Sequence, residues 1–379
     1  MRTARRTVVL GFGRVGKAIA LDLSGQHEVT VVDMDRSAAE QLKGAPVKLI
    51  NEDATKPAAL AKLVGDADLV INALPGHIGF GVLKSIIQLG RAVVDISFFA
   101  EDPFELGGLA RESGVPAVVH CGVAPGLSNI ILGSRYRQMQ VDSFACYVGG
   151  LPRVRRWPYQ YKAPFSPVDV IEEYTRPARI VEHGQVVVKP ALSDLEYLEF
   201  DDIGTLEAFN TDGLTTLLQT VRVPNMKEKT LRYPGHSEYI RVLRETGFFS
   251  SEPMDVNGKS IAPIKVTSRL LFRHWDLSEG EEEYTLMRIV IEGSEDERAV
   301  RYTYDLLDRF DSVTGLSSMA RTTGYTCTAV ANLVLEGRVT DAGIVPPELI
   351  GMDESNFAYI VDYLERRNVG LDSSREVLS

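Results

Sequence analysis

Three glycines and one acid near the start of the chain have the spacing of a nucleotide-binding turn. Gly11, Gly13 and Gly16 form a G-x-G-x-x-G pattern between an apolar run of strand length and a helical pattern. The first glycine permits a tight turn, the second lets a pyrophosphate approach the backbone, and the third lets the helix pack on the strand. Asp33, at the end of the next apolar run, can accept hydrogen bonds from an adenosine ribose. The stretch therefore predicts a dinucleotide site, and Asp33 favours NAD over its 2′-phosphorylated form.

Further residues are predicted to line the same site, because ligands of a parallel sheet bind beyond the carboxyl ends of its strands. The phosphates themselves would meet unpaired N–H groups at the helix N-terminus. The predicted cofactor-binding residues are Gly11, Phe12, Gly13, Arg14, Val15, Gly16, Asp33, Met34, Asp53, Ala54, Ala73, Leu74, Pro75, Asp95 and Gly122. No His, Cys and carboxylate cluster has the spacing of metal ligands, so the sequence predicts no metal site.

A second candidate group lies in the segment TLRYPGH at residues 230–236. Arg232 has the side chain that best clamps a substrate carboxylate, through two parallel hydrogen bonds. The alternative is an arginine in a salt bridge on the surface. His236 follows Pro-Gly at the expected start of a helix and is suited to proton transfer near neutral pH. The alternative is a histidine that is hydrogen-bonded to backbone at a helix start.

The elements that must position these residues change in type along the chain. Over the first 120 residues, apolar runs at 7–10, 29–32, 47–50, 68–73, 92–95 and 115–120 alternate with helical patterns. This alternation predicts a doubly wound parallel sheet. Residues 150–310 predict an open, mostly antiparallel sheet, with hairpins about His183-Gly184 and Gly293-Ser294. The fold class is thus an α/β dinucleotide domain (1–126), an α+β substrate domain (127–316), and a helical segment (317–379) that packs back on the first domain.

Bulk composition excludes several classes of protein. The chain has 379 residues and a net charge of −11, which disfavours a nucleic-acid partner. No apolar run approaches the roughly 20 residues that span a membrane. Three widely spaced cysteines without a CxxC pair indicate neither a disulfide framework nor a zinc site. We expect a cytoplasmic protein whose partner is a small molecule.

Five segments carry a resemblance over nearly the whole length: 121–129 (CGVAPGLSN), 147–152 (YVGGLP), 171–179 (IEEYTRPAR), 209–214 (FNTDGL) and 230–236. With them the chain resembles the saccharopine dehydrogenase family, and within it the branch that oxidises free lysine. The resemblance implies an N-terminal Rossmann domain, a C-terminal substrate domain whose sheet supports a homodimer or higher homo-oligomer, and nicotinamide-dependent amine chemistry. Ala124 stands where the saccharopine reductase branch has an acid, and His120-Cys121-Gly122 replaces the Asp-Ala-Gly of the lysine branch.

The resemblance also implies a reaction and further site residues. The expected reaction is NAD-dependent oxidative deamination of a free diamino acid, with L-lysine at its ε-amine as first choice. The product would be 2-aminoadipate semialdehyde, which cyclises to piperideine-6-carboxylate. Ser97, Phe98, Tyr147, Gly149 and Arg232 are the implied substrate contacts. A saccharopine reductase or carboxyspermidine-type dehydrogenase is the alternative enzyme, and an NAD-sensing regulatory protein is the non-enzyme alternative.

Overall fold

The computed structural model describes residues 4–42, 44–278 and 280–378 and divides the chain into two compact units. The first unit contains the chain up to Met139, the segment Thr215–Thr220 and the segment Met319–Gly370. The second contains Gln140–Leu214, Val221–Ser318 and the chain from Leu371 onward. The boundary predicted at residue 126 therefore differs from the observed one, because the helix that follows it stays with the first unit.

Strands and helices alternate from the start of the chain to Tyr136. The strands are β1 (Arg6–Leu10), β2 (Glu28–Asp33), β3 (Val47–Asn51), β4 (Leu69–Asn72), β5 (Val93–Asp95) and β6 (Pro116–Val118). The helices are α1 (Arg14–Leu23), α2 (Ala38–Gln41), α3 (Pro57–Val64), α4 (Gly76–Gln88), α5 (Gly107–Glu112) and α6 (Leu127–Tyr136), with a 3₁₀ turn at Pro103–Leu106.

The middle of the chain is rich in strands. In order it forms β7 (Gln140–Pro152), α7 (Pro167–Thr175), β8 (Ala178–Glu182), β9 (Gln185–Lys189), β10 (Glu196–Phe200), β11 (Gly204–Asn210), α8 (Leu217–Thr220), β12 (Asn225–Arg232), α9 (His236–Glu245), β13 (Met254–Val256), β14 (Lys259–Ile261), α10 (Pro263–Trp275), β15 (Glu283–Glu295) and β16 (Arg298–Arg309). The C-terminal part forms α11 (Ser318–Leu335), β17 (Gly343–Val345), α12 (Pro347–Gly351), α13 (Glu354–Glu365) and β18 (Asp372–Val377).

The first unit is built on a parallel sheet with the strand order β17-β6-β5-β4-β1-β2-β3. Its central strands are buried on both faces, as expected for short apolar runs covered by helices. The parallel Rossmann-type sheet predicted from the sequence is confirmed. The C-terminal α11 packs on α1, where the Thr328 hydroxyl donates to the Asp22 carboxylate at 2.5 Å.

The second unit is built on an open sheet with the order β10-β11-β12-β7-β15-β16-β18, to which the β8–β9 hairpin is joined. Its strand pairs are antiparallel except β12 with β7, which is parallel. The predicted open, mostly antiparallel sheet is therefore confirmed. Because alternate side chains of a strand point to opposite faces, β12 contributes Glu228, Thr230 and Arg232 to one face and Lys229 and Leu231 to the other.

One predicted hairpin turns at a different place. The sequence places the turn of the long hairpin at Gly293-Ser294, but β15 continues to Glu295 and the chain reverses at Asp296-Glu297. Both turn residues have positive φ, 49° and 62°, as a tight two-residue hairpin turn requires. Gly293 lies instead at a register shift against β7. The glycine thus marks a bulge, which the sequence signal for a turn does not distinguish.

Candidate active site

The glycine turn between β1 and α1 has the geometry that its three glycines predict. Gly11 has a φ of +96°, and a Cβ there would lie 2.7 Å from the Ala73 carbonyl oxygen. A Cβ at Gly16 would lie 2.2 Å from the Gly11 carbonyl oxygen. A Cβ at Gly13, by contrast, would meet no atom within 4 Å. Gly11 and Gly16 are therefore needed for packing, whereas the space beside Gly13 is open to a ligand.

Asp33 holds the turn from the neighbouring strand. Its carboxylate accepts the Phe12 N–H at 2.5 Å and the Asp35 N–H at 2.7 Å. The Gly11 N–H also donates to the Val32 carbonyl oxygen, at 2.9 Å. The acid predicted to contact the ribose is thus already a structural part of the turn, and Met34 beside it is exposed.

The other predicted cofactor-binding residues lie at the carboxyl ends of neighbouring parallel strands, so the fold brings them to one edge of the sheet. Asp53, after β3, accepts the Thr55 N–H and hydroxyl, and these bonds lower the pKa of its carboxyl. Ala54 beside it is buried. The residues Ala73, Leu74 and Pro75 follow β4, and Gly122 follows β6, where its N–H donates to the Pro125 carbonyl oxygen.

A buried polar group ends β5. The Asp95 carboxylate accepts the Asn72 side-chain amide and the Ser97 N–H. Burial raises the pKa of Asp95 to about 7, and those hydrogen bonds oppose the shift. The Ser97 side chain packs against Gly79, where a Cβ would lie 2.4 Å from it, and the Phe98 carbonyl packs against Gly76. Ser97 is thus buried, and its backbone supports Asp95.

Within the second unit, Arg232 is buried and makes several contacts. Its side chain is 2% exposed, and its Nη2 donates to the Glu173 carboxylate at 2.5 Å. Its Nε donates to the Tyr174 hydroxyl at 3.1 Å, and its Nη1 donates to the Leu231 carbonyl at 2.9 Å. The guanidinium carbon also lies 4.3 Å from the Tyr161 ring centroid. Arg232 thus already holds a carboxylate of its own chain, which matches the salt-bridge alternative, although it is buried and not on the surface.

His236 joins the same group through Tyr174. Its Nδ1 lies 2.9 Å from the Tyr159 carbonyl oxygen and its Nε2 lies 3.0 Å from the Tyr174 hydroxyl. A carbonyl only accepts, so Nδ1 carries the proton and Nε2 accepts from Tyr174. Burial, assisted by the charge of Arg232, lowers the pKa of His236 to about 3. The imidazole is therefore neutral near pH 7, and it does not titrate there as the sequence led us to expect.

The predicted substrate contacts in the second unit do not lie together. Tyr147 pairs in register with Lys229, and Gly149 lies against Leu231, where a Cβ would be 2.6 Å from the carbonyl oxygen. Both therefore belong to the sheet face opposite to Arg232 and His236. Tyr147 is stacked under the Lys227 ammonium, 5.3 Å from its ring centroid. Gly149 serves the close approach of β7 and β12.

Several members of the buried group on the Arg232 face were not selected from the sequence. They are the buried Tyr161, Tyr174, Asp212 and Glu228, together with Glu173, whose side chain is 17% exposed. Tyr174 and Glu173 are adjacent on α7, and Glu228 lies on a strand whose neighbours are also polar. No spacing rule marks such residues, because a helix, a strand and two loops that are far apart in sequence bring them together.

The described residues contain no group of three or more His, Cys, Asp or Glu side chains that could hold a metal ion. Among the same residues, no helix is long and apolar enough to cross a membrane. The glycine turn does fit a dinucleotide: it offers open space beside Gly13 and the N-terminus of the ten-residue α1.

Comparison with known proteins gives matches across both units. Residues 7–118 match the family model for the saccharopine dehydrogenase NADP binding domain, and residues 122–369 match that for the saccharopine dehydrogenase C-terminal domain. The chain is 23% identical to saccharopine dehydrogenase [NADP(+), L-glutamate-forming] of Schizosaccharomyces pombe, over 96% of this chain and 98% of that protein. It is 25% identical to alpha-aminoadipic semialdehyde synthase of Arabidopsis thaliana, over 70% of this chain.

The lengths of these relatives differ. The chain spans 27% of the Arabidopsis protein and 58% of a Pyricularia oryzae saccharopine dehydrogenase that is 26% identical to it. Among solved structures, apo saccharopine dehydrogenase (L-Glu forming) from Saccharomyces cerevisiae superposes with a TM-score of 0.79 and 20% identity, over 98% of this chain and 100% of that one. That similarity shows a shared fold.

Proposed function

Because this chain belongs to the saccharopine dehydrogenase family, we propose that it is an NAD-dependent dehydrogenase that oxidatively deaminates a free diamino acid, with L-lysine at its ε-amine as the first candidate. The balanced reaction takes the protonated amine, NAD⁺ and water to an aldehyde, ammonium, NADH and a proton. The aldehyde from lysine would be 2-aminoadipate semialdehyde, which closes to piperideine-6-carboxylate.

The observation that carries the proposal is the occurrence of two built sites in one chain. The first unit has a glycine turn with open space beside Gly13 and an acid, Asp33, at the next strand. The second unit has a buried group of carboxylates, tyrosines and an arginine on one sheet face. A nucleotide sensor needs the first of these but has no use for the second, which favours an enzyme.

The nicotinamide, when bound, supplies the acceptor for the hydride that leaves the amine carbon. The protein residues have other tasks. The Gly11–Gly16 turn and the α1 N-terminus would hold the pyrophosphate, and Asp33 would face the adenosine ribose. Arg232 positions Glu173 and Tyr174, and Tyr174 in turn donates to His236. We propose this buried group as the wall of the amine site.

The choice of cofactor rests on Asp33. A carboxylate at the end of β2 repels a 2′-phosphate, whereas it can accept from two ribose hydroxyls. The saccharopine dehydrogenases of Schizosaccharomyces pombe and Pyricularia oryzae carry NADP(+) in their names. Those names also favour a second candidate function, oxidation of saccharopine with release of glutamate.

A panel of substrates distinguishes lysine oxidation with NAD from saccharopine oxidation with NADP. The purified protein is incubated with NAD or NADP and with lysine, ornithine, saccharopine or a polyamine, and reduced cofactor is followed by absorbance. We expect NADH formation with lysine and a cyclic imine as product. Turnover of saccharopine with NADP instead would favour the second candidate. No turnover with any of these amines would favour the regulatory alternative.

A further inference from the structure

One buried carboxyl group in the second unit has no hydrogen-bond partner. Glu228 lies in the middle of β12, is 5% exposed, and shares a sheet face with Thr230 and Arg232. Its side chain forms no hydrogen bond and no ion pair with any residue that the structure describes. An unpaired carboxyl at such a depth is costly unless a ligand or a proton neutralises it.

Its position depends on a glycine. A Cβ on Gly213 would lie 1.5 Å from the Glu228 Oε1, so the carboxyl occupies the place where any other residue would put its side chain. The Thr211 N–H donates to the Glu228 carbonyl at 3.1 Å, and this bond ties the 211–213 segment to β12. The carboxyl is thus held in place by packing, without a polar partner.

Two neutral ion pairs flank it. Asp212 accepts the Arg179 Nε at 2.9 Å and its Nη2 at 2.8 Å, and Glu173 pairs with Arg232. The two acids interact electrostatically with Glu228, while Asp169 on α7 interacts with Glu173. The residue opposite on β7 is Cys146. Since each arginine already neutralises one acid, ionised Glu228 is a negative charge without an arginine of its own.

We propose that the Glu228 carboxyl, between the Asp212–Arg179 and Glu173–Arg232 pairs, binds a primary ammonium group of the substrate. An alkylammonium brings one positive charge and three N–H donors in a small volume, which suits a single unpaired carboxyl beside two further carboxylates. A metal ion fits less well, because two of the three carboxylates are committed to arginines. The ammonium site does not depend on the proposed function. Only the identity of the substrate rests on that function.

Binding at this site should displace a proton. Burial, with the charges of Asp212 and Glu173, raises the pKa of Glu228 to about 8, so the carboxyl is protonated at pH 7. A bound cation lowers that pKa, and the proton leaves to solvent while the ammonium keeps its own protons. By linkage, the affinity for the ammonium should increase about tenfold with each unit of pH rise up to pH 8 and stay level above it, because acid competes for the same carboxylate.

Calorimetric titration of the full chain tests this with two simple probes. The probes are n-pentylamine and its neutral isostere 1-pentanol, each titrated in phosphate and in Tris, since the difference in heat gives the number of protons released. For the wild type at pH 7 we expect n-pentylamine to release about 0.9 proton, falling to about half at pH 8 and to none by pH 9.5. We expect no proton release with 1-pentanol.

Two substitutions test whether the released proton comes from Glu228. Glu228→Gln should abolish the release and weaken n-pentylamine binding about tenfold to a hundredfold, since it removes the charged partner. The matched control is Glu348→Gln in the first unit, which changes another buried glutamate, one that accepts from Asn129, Thr216 and Thr220. It should leave both the release and the affinity unchanged. The wild-type pH series gives an answer even if Glu228→Gln does not fold.

The outcomes separate this site from the proposed function. Failure of n-pentylamine to bind, or a release that does not change from pH 7 to 9.5, would overturn the ammonium site. If folded Glu228→Gln binds n-pentylamine with the affinity and proton release of the wild type, the ammonium site is also overturned, even if the protein oxidises lysine. A release that depends on Glu228 in a protein that oxidises none of the amines would support the site and contradict the proposed dehydrogenase.

Discussion

Asp33 combines a structural task with a selective one. Its carboxylate accepts the N–H groups of Phe12 and Asp35, so it fixes the turn that the glycines form. The same negative charge is the ground on which NAD is proposed over NADP. A substitution that separates the two tasks must keep a hydrogen-bond acceptor while it removes the charge.

Asp33→Asn removes the charge and keeps one acceptor oxygen, so one of the two bonds from the Phe12 and Asp35 N–H groups remains. We expect the ratio of kcat/KM for NAD to that for NADP to fall about tenfold, because one repulsive charge of about 1 to 2 kcal/mol is removed. The control is Asp66→Asn, which removes an exposed acid that pairs with Arg6 at the start of β1. Steady-state kinetics with both cofactors measures the ratio. A wild-type preference for NADP would contradict the cofactor proposal at once.

Arg232 is the second residue whose role the structure redefines. Its N–H groups already meet Glu173, Tyr174, Tyr161 and a backbone carbonyl. A substrate carboxylate would have to displace Glu173, which is its partner within the chain. The contacts therefore favour a positioning role over the predicted carboxylate clamp.

Arg232→Lys distinguishes the two roles. We expect kcat/KM to fall by a similar factor with two substrates, free lysine and cadaverine, which lacks the carboxylate. The reason is that a lysine side chain at position 232 cannot copy the planar fork that holds two tyrosines and an acid. Lysine keeps the positive charge but loses the bonds that Nε and Nη1 donate to the Tyr174 hydroxyl and the Leu231 carbonyl, so the melting temperature should also fall. Arg288→Lys, at an arginine paired with Asp305 and stacked on Phe200, is the control. A loss of kcat/KM with the substrate lysine but not with cadaverine would instead support a role of Arg232 in binding the substrate carboxylate.

At the scale of the element, the turn between β1 and α1 separates packing from binding. Gly16 lies where a Cβ would overlap the Gly11 carbonyl, and Gly13 lies beside open space with an ordinary φ of −63°. The same substitution at the two positions should therefore have different effects.

Gly16→Ala should lower the free energy of unfolding by about 1 to 3 kcal/mol, because α1 must move away from the strand. Gly13→Ala should leave thermal stability nearly unchanged but weaken binding of the dinucleotide about tenfold, since a methyl group would enter the space left for the phosphates. Melting curves and fluorescence titration with NADH measure the two quantities. A stable Gly16→Ala, or undiminished NADH affinity in Gly13→Ala, would contradict this account of the turn.

The same elements explain what the sequence could predict. The strands β1 to β6 agree with the predicted ones within a few residues, because short apolar runs are local signals. The segment 317–379, predicted to be helical, also contributes β17 to the first sheet and β18 to the second. The Arg232 face was not predictable in the same way. Glu173 on α7, Asp212 after β11 and Glu228 on β12 come from three separate segments, and only the tertiary fold brings them together. Tyr147 and Gly149 were grouped with Arg232 although alternation along the paired strands puts them on the other face.

At the scale of the whole molecule, the path of the chain accounts for the difference in domain limits. The segment Thr215–Thr220 belongs to the first unit, although the residues on both sides of it belong to the second. It is bound there by the buried Glu348, which accepts the Thr216 hydroxyl at 3.0 Å and the Thr220 hydroxyl at 2.5 Å. Such a return of six residues leaves no signal in composition or periodicity.

The exposed edge of the second sheet bears on assembly. β9 is paired with β8 and with no other strand of the described chain, and it carries Val186 and Val188, which are 54% and 64% exposed. An unprotected edge with apolar side chains is a ready template for pairing with another strand. We propose that two copies of the chain form a dimer by antiparallel pairing of their β9 strands about a two-fold axis.

Light scattering at micromolar concentration tests the dimer. We expect about twice the mass of the 41.8 kDa chain. Replacing both Val186 and Val188 by lysine should give a folded monomer, because like charges would face each other across the axis and edge lysines oppose strand pairing. The control is Val313→Lys, at a residue that is 92% exposed but lies in a turn, and it should leave the mass unchanged. A monomeric wild type would refute the dimer itself. A dimer that persists in the double variant would place its interface elsewhere.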